Sequence, residues 1–213
     1  MLTRFKPLFV TSDEQLMWRV KLQNDSHAFA AIMARWQKPL QSLCFRMIGD
    51  SHRVEDLVQT AFTRVFVHRA DWQPSAKFST FLWRIALNLC HDELRRAGRR
   101  GECSLDELLE SNPSVELPTS EELPPDREAE ARERGKFVRE ALMRLPPRFR
   151  EVIVLRHYEQ LKFWEIAEVL GIPQGTVKSR MAEALNQLSR SLNHLNQDSL
   201  CKPGNPKPQL QAL

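Results

Sequence analysis

Apolar residues recur at three- and four-residue intervals along most of this chain, the spacing that gathers them on one side of a helix. Ser12 is placed to cap the first helix, with Gln15 three positions on as its capping-box partner, and Leu16, Met17, Val20 and Leu22 face inward. Asn24-Asp25-Ser26 breaks the pattern. A longer helix from His27 then buries Phe29, Ile32, Met33, Trp36, Leu40, Leu43, Cys44 and Met47, with Pro39 as a site for a kink, and stops at Gly49-Asp50-Ser51. From Arg53 to His68 the stripe is Val54, Leu57, Val58, Ala61, Phe62, Val65 and Phe66; Glu55, Asp56, Gln59, Thr63 and Arg64 form the wet face. After a loop at 71–77, a helix from Ser79 to about Arg96 is apolar almost all round. Its one narrow polar stripe is Arg84, Asn88, His91, Asp92 and Arg95, and it ends in Arg95, Arg96, Arg99 and Arg100.

The second half repeats the theme with sharper turns. A charged helix from about Asp126 to Arg144 turns Phe137, Val138, Ala141, Leu142 and Leu145 inward. Pro146-Pro147 starts the next, which buries Phe149, Val152, Ile153 and Leu155 before a turn at Glu159-Gln160. Phe163–Leu188 then holds two helices around a tight turn. Ala167 is a small residue at the crossing, Gly171 four later enters the left-handed turn, and Val177 six later anchors the second helix. That order is what a helix-turn-helix requires. Gln174, Thr176, Lys178, Ser179 and Arg180 lie on the opposite face, where they reach phosphates and base edges in a major groove. The competing explanation is a helical hairpin with a solvated polar face.

These patterns predict an all-α protein of two small helical domains: 12–100 and 127–194, with a flexible acidic linker at 101–126 and disordered ends at 1–11 and 195–213. Composition agrees, with 42% hydrophobic and 27% charged residues, seven Gly and one Tyr. The charge is unevenly divided. Residues 1–100 carry 16 Lys and Arg against 9 Asp and Glu, a net of +7. Residues 101–135 carry 3 against 11, a net of −8, and residues 136–213 carry 12 against 7, a net of +5. Two basic blocks on an acidic tether suit two nucleic-acid-facing modules. The linker acids are expected to keep those modules from non-specific contacts, an idea that fails if neutralising them leaves DNA affinity unchanged.

Several classes are set aside. No apolar run is long enough to span a membrane and the N-terminus lacks a signal-peptide core, so a cytoplasmic protein is expected. Cys44, Cys90, Cys103 and Cys201 are far apart, with no His at ligand spacing, so no metal site is expected. No phosphate loop, nucleophile constellation or cofactor motif is present, and the chain is not read as an enzyme. The fourth helix stays two-sided on its own residues. Aromatics beside a basic stripe and an amide suit single-stranded nucleic acid, and equally suit a core helix with one solvated edge.

Together, VEDLVQTAFTRVF (54–66), KFSTFLWRIALNLCHDELRR (77–96), an acidic linker and LPPRFREVIVLRHYEQLKFWEIAEVLGIPQGTVKSRM (145–181) resemble a bacterial sigma factor. The two-domain layout is similar to the extracytoplasmic-function (ECF) class. The resemblance implies that 54–66 docks on the β′ clamp helices of core RNA polymerase through Glu55, Asp56, Gln59 and Arg64. It implies an unwound −10 strand held near Trp72, Phe78, Ile85 and Asn88, with Arg84, Arg95 and Arg96 on phosphates. It implies a −35 duplex read by Gln174, Thr176, Lys178, Ser179 and Arg180, and a contact to the β flap. The acidic linker resembles the segment that threads toward the RNA exit path. The family often uses an anti-sigma factor that buries these faces.

The chain departs from the family after Arg180, where Met181, Ala182, Glu183 and Ala184 replace the usual basic residues. Glu183 there can repel phosphate or accept from a cytosine amino group. Phe163-Trp164 is bulkier than the usual pair, and the Pro-rich tail is not a family feature. Two other classes compete. A stand-alone helix-turn-helix regulator would bind duplex without polymerase, and a protein-interaction adaptor would show little salt dependence.

Overall fold

Capping residues set where the helices begin and end. The computed structural model describes residues 11–74, 76–100 and 125–200, apart from the side chains of residues 100, 125–134 and 194–200. Ser12 Oγ accepts from the Gln15 amide at 3.2 Å while Gln15 Oε1 accepts from the Ser12 amide at 3.1 Å, which starts α1 (Asp13–Gln23). Asp25 and Asp50 accept from the exposed amides of α2 (Ser26–Ile48) and α3 (Ser51–Val67) in the same way. Asn24 and Gly49 close α1 and α2 in the left-handed conformation, at φ 52° and 85°. A short 3₁₀ turn at His68–Ala70 leads toward α4 (Phe78–Arg100).

These four helices form the first bundle. The long α2 lies against α1, α3 and α4, and Met17, Ile32, Leu43, Met47, Val65 and Leu82 fill the space between them. Trp36 of α2 meets Phe78 and Trp83 of α4 edge-on, at ring-centroid distances of 6.0 and 5.3 Å.

The second bundle comprises α5 (Pro125–Arg144), α6 (Pro147–Ile153), α7 (Phe163–Leu170) and α8 (Gln174–Leu200). Its core is Leu142, Val152, Leu155, Ile166 and Val177. A π-turn at Val154–Tyr158 follows α6, closed by the Glu159 amide donating to the Val154 carbonyl at 3.2 Å. Gln160, at φ 55°, then makes the expected turn.

The bundles share a seam. Arg150 of α6, only 6% exposed, donates to the carbonyls of Leu142, Met143 and Leu145 around the end of α5, and across the seam to that of Met47 in α2. One guanidinium thus satisfies four carbonyls at two helix ends. Gly49 allows the close approach there, since a Cβ on it would stand 3.2 Å from Met143 Sδ. The apolar core runs continuously across this line.

Several sequence expectations shift. The Ser79 start of α4 moves to Phe78, and the helix runs on to Arg100. α5 begins at Pro125, so the last two residues of the expected 101–126 linker are helical. α8 reaches Leu200, so residues 195–200 are helix rather than tail. Leu22, Val138 and Leu185, expected inside, are 58%, 38% and 45% exposed because they sit at the edges of their stripes. The remaining expected disorder and linker, at 1–10, 101–124 and 201–213, lie outside the described residues. Among the described residues there is no strand, and no helix is long and apolar enough to cross a membrane.

Candidate nucleic-acid interface

Three polar faces emerge, on α3, α4 and α8. On α3, Glu55, Asp56 and Gln59 are exposed and Arg64 is half-buried, opposite the buried Val54, Leu57, Val58 and Ala61. Glu55 and Asp56 have no ion-pair partner among the described residues. This face is acidic and open.

The loop before α4 is held from behind by α1. Lys21 Nζ donates to the Trp72 carbonyl at 2.7 Å, and the Phe78 amide donates to Glu14 at 3.3 Å. Trp72 and Phe78 are themselves 1% and 0% exposed. Their rings thus face the interior of the bundle. Both pack into the first bundle, and burying such large rings stabilises it. The Trp72 indole nitrogen is buried without a partner among the described residues. On α4, Arg84, Asn88, Arg95 and Arg96 are exposed and Ile85 is half-buried against the core. Arg95 and Arg96 line a basic concavity with Asp92 and Arg99. Arg95 is tethered to Asp92 at 2.5 Å, and Arg96 stands 3.7 Å from Glu93.

The helix-turn-helix forms as its spacing predicts. Gly171 sits at φ 66°, and the Pro173 carbonyl receives the amides of Thr176 and Val177 to start α8. Val177, Met181 and Ala184 are buried. Gln174, Lys178 and Ser179 are exposed, Thr176 is half-buried, and Ser179 Oγ donates to the Thr176 carbonyl at 3.0 Å. Arg180 departs from the expected open face, because it turns back to Glu151 of α6 at 3.1 Å.

That contact belongs to a polar network along the α4 side of the seam. His91 Nε2 meets the other oxygen of Glu151 at 2.7 Å, Lys77 meets Glu165 at 2.5 Å, and Arg84 donates to the Glu168 carbonyl at 2.5 Å. Burial pushes the Glu165 carboxyl up, but Lys77 and the Lys162 amide outweigh it, and the net shift is downward. The hydrogen bond to Glu165 likewise raises Lys77. Further along, Arg46 lies 4.0 Å above the Tyr158 ring and 4.0 Å from Glu159. Burial drives Glu159 up to about 7, with Arg46 only partly opposing it, and burial lowers Arg46 in turn.

No local sequence signal marks Lys77, Glu151 or Glu165 for these contacts, which join residues 29 to 88 positions apart. No metal-holding cluster occurs among the described residues. Cys44 and Cys90 are buried free thiols, and their mutual hydrogen bond together with burial raises Cys90 well above the usual thiol range. A raised thiol holds little thiolate, so Cys90 behaves as a core residue, with Cys44 buried beside it.

Comparison with known proteins matches this arrangement. Sigma-70 region 2 matches residues 32–100 and Sigma-70, region 4 matches residues 141–190. The ECF RNA polymerase sigma factor SigW of Bacillus subtilis is 32% identical over 176 residues, 81% of this chain and 93% of SigW. The chain belongs to the ECF sigma factors. The ECF RNA polymerase sigma-E factor of Escherichia coli K12 is 29% identical over 86% of this sigma factor and 96% of its own length. In solved form, the structure of CnrH in complex with the cytosolic domain of CnrY has a TM-score of 0.60 at 26% identity. It covers 85% of this sigma factor and 97% of the matched chain.

Proposed function

We propose that three helices divide the work of this sigma factor. The protein binds core RNA polymerase, recognises −35 and −10 promoter elements, helps open the promoter and directs initiation of a specific regulon. In this division, Glu55, Asp56, Gln59 and Arg64 of α3 dock on the β′ clamp helices. Asn88 and Ile85 of α4 meet the unwound −10 strand while Arg84, Arg95 and Arg96 follow its phosphates. Gln174, Thr176, Lys178, Ser179 and Arg180 of α8 read the −35 duplex, and the same bundle touches the β flap. Trp72 and Phe78 act as positioning residues that fix the loop and the start of α4. The protein works in the cytoplasm beside its polymerase, and bond making belongs to the polymerase.

The observation that supports this best is the contrast of the three faces. An acidic open face suits a protein partner, and two cationic faces on separate helices suit two forms of DNA. A helix enters the major groove of duplex, whereas captured unstacked bases stabilise a melted strand. Two weak DNA contacts on one chain reinforce each other through effective concentration.

Reconstituted transcription tests it, with purified protein, core polymerase and a library of promoter fragments. Specific initiation that is lost in Asn88→Ala and in Asp56→Lys is expected. Duplex binding without any polymerase binding or initiation would favour the stand-alone regulator.

A further inference from the structure

A carboxylate stands on the outward face of α8, beside the residues assigned to duplex DNA. Val177, Met181 and Ala184 point into the bundle, so Thr176, Ser179 and Glu183, three and four residues apart, share the side away from it. From Thr176 to Glu183 the helix advances about 10 Å, at about 1.5 Å per residue, which is within the ~12 Å width of a major groove. The turns that carry Thr176 and Ser179 to base edges therefore carry Glu183 with them. Both exposed side chains on this stripe offer lone pairs. Ser179 Oγ donates its proton to the Thr176 carbonyl at 3.0 Å, which leaves its oxygen as an acceptor. Gln187 Nε2 donates to Glu183 Oε1 at 2.7 Å, holding the carboxylate from one turn further along and leaving Oε2 open. No cation pairs with Glu183 among the described residues.

An ionised carboxylate has no proton to give, so it repels the N7 and O6 of guanine and the O4 of thymine. It accepts only from an amino group, the N4 of cytosine or the N6 of adenine. The cytosine amino group has one acceptor beside it in the groove, the O6 of its paired guanine. The adenine amino group lies between two, its own N7 and the O4 of its paired thymine. A single open carboxylate oxygen therefore favours cytosine. Exposed Lys178 and Arg190, before and after Glu183 on the helix, supply positive charge against the repulsion from backbone phosphates. We propose that Glu183 is a specificity-determining residue of this sigma factor, accepting a hydrogen bond from the N4 amino group of one cytosine in the −35 duplex, with Gln187 as the positioning residue that aims its carboxylate. The proposal rests on the assignment of α8 to that duplex given above.

The test reads base preference one position at a time. Full-length chain with core polymerase initiates on a promoter found in the reconstituted assay, its −35 region randomised, and the active templates are counted by sequencing. In parallel the full-length chain alone selects from random-sequence duplexes, so base preference is read even where initiation fails. Glu183→Gln keeps the shape and removes the charge, and the amide suits the N6 and N7 of adenine. Glu183→Arg offers the two donors that suit the O6 and N7 of guanine. Gln187→Leu removes the donor that holds the carboxylate, and Gln187→Lys keeps one.

The wild type is expected to favour cytosine about tenfold over guanine and thymine at one base pair. At that same base pair Glu183→Gln should move the preference to adenine and Glu183→Arg to guanine, with the other positions unchanged. Gln187→Leu should lower the cytosine preference to a few-fold, and Gln187→Lys should hold it near the wild-type value. Circular dichroism confirms that each variant is folded. A Glu183→Gln chain that binds every duplex more tightly by the same factor, with its base preferences unmoved, overturns the proposal and leaves Glu183 as a phosphate repellent alone. Failure of the α8 assignment looks different, as a wild type with no preference at any position of the duplex, and it overturns both.

Discussion

Helices α3 and α4 are neighbours in one bundle, each with an apolar side in the same core, yet their polar sides are in opposite states. On α3 the acids Glu55 and Asp56 are exposed and unpaired among the described residues. On α4, Arg84 and His91 are engaged by the second bundle through the Glu168 carbonyl and Glu151. Amphipathic pattern alone does not distinguish these faces, because it reports only which side is apolar. Their states differ in what each faces after folding. The acidic face of α3 is open throughout, whereas on α4 Asn88, Arg95 and Arg96 stay exposed to solvent while Arg84 and His91 are engaged by the chain's own carbonyl and carboxylate.

The largest effect that could break this contrast is at Asp56. Asp56→Lys places like charge where the polymerase partner is expected to be basic, and should weaken core polymerase binding about a hundredfold in a fluorescence titration. It should leave the α4 seam untouched, since Asp56 takes no part in it.

The next effect concerns the seam's buried anchor. Arg150→Met removes the donor for four carbonyls, and leaving these groups unpaired should cost about 3 kcal/mol in a urea denaturation. A surface arginine such as Arg148, whose guanidinium rests over Phe149, should cost far less when changed the same way.

Glu159 sharpens the comparison through pH. Its carboxyl is raised from 4.5 to about 7 by burial against α2, so the native chain keeps this proton where the unfolded chain has released it. The unfolded state therefore binds fewer protons between about pH 4.5 and 7, and this group's contribution makes stability fall as pH rises through that window. Glu159→Gln should flatten this part of the pH–stability curve, read from urea midpoints at pH 5 and pH 8. An unchanged curve would mean that Glu159 is solvated like the acids on α3.

The smallest effect is on α8. Lys178 is exposed and takes no part in the seam, so Lys178→Ala should weaken duplex binding uniformly across sequences and reduce the salt slope by about 1. Arg180→Ala should behave differently, because it also removes the contact with Glu151 of α6.

The local parts of this design were legible in the sequence, and the long-range parts were not. Ser12 with Gln15, and Gly171 with Val177, announce a cap and a helix-turn-helix because their causes lie within a few residues. The α3 stripe was equally plain. The burial of Trp72 and Phe78 was not legible, because an aromatic beside a basic stripe serves either as a stacking platform or as core. Trp36, some forty residues away, packs edge-on against the Phe78 ring at 6.0 Å, a contact no local pattern announces. Arg180 looked free because Glu151 stands on another helix. Nothing in the periodicity of α4 or α6 shows that His91 and Glu151 meet.

Hydrogen exchange of the full-length chain, alone and with core polymerase in the absence of DNA, tests the assignment of α3 to the polymerase most directly. The account predicts slower exchange across α3 on binding polymerase. Protection of the α4 seam by polymerase, with α3 unchanged, would contradict it.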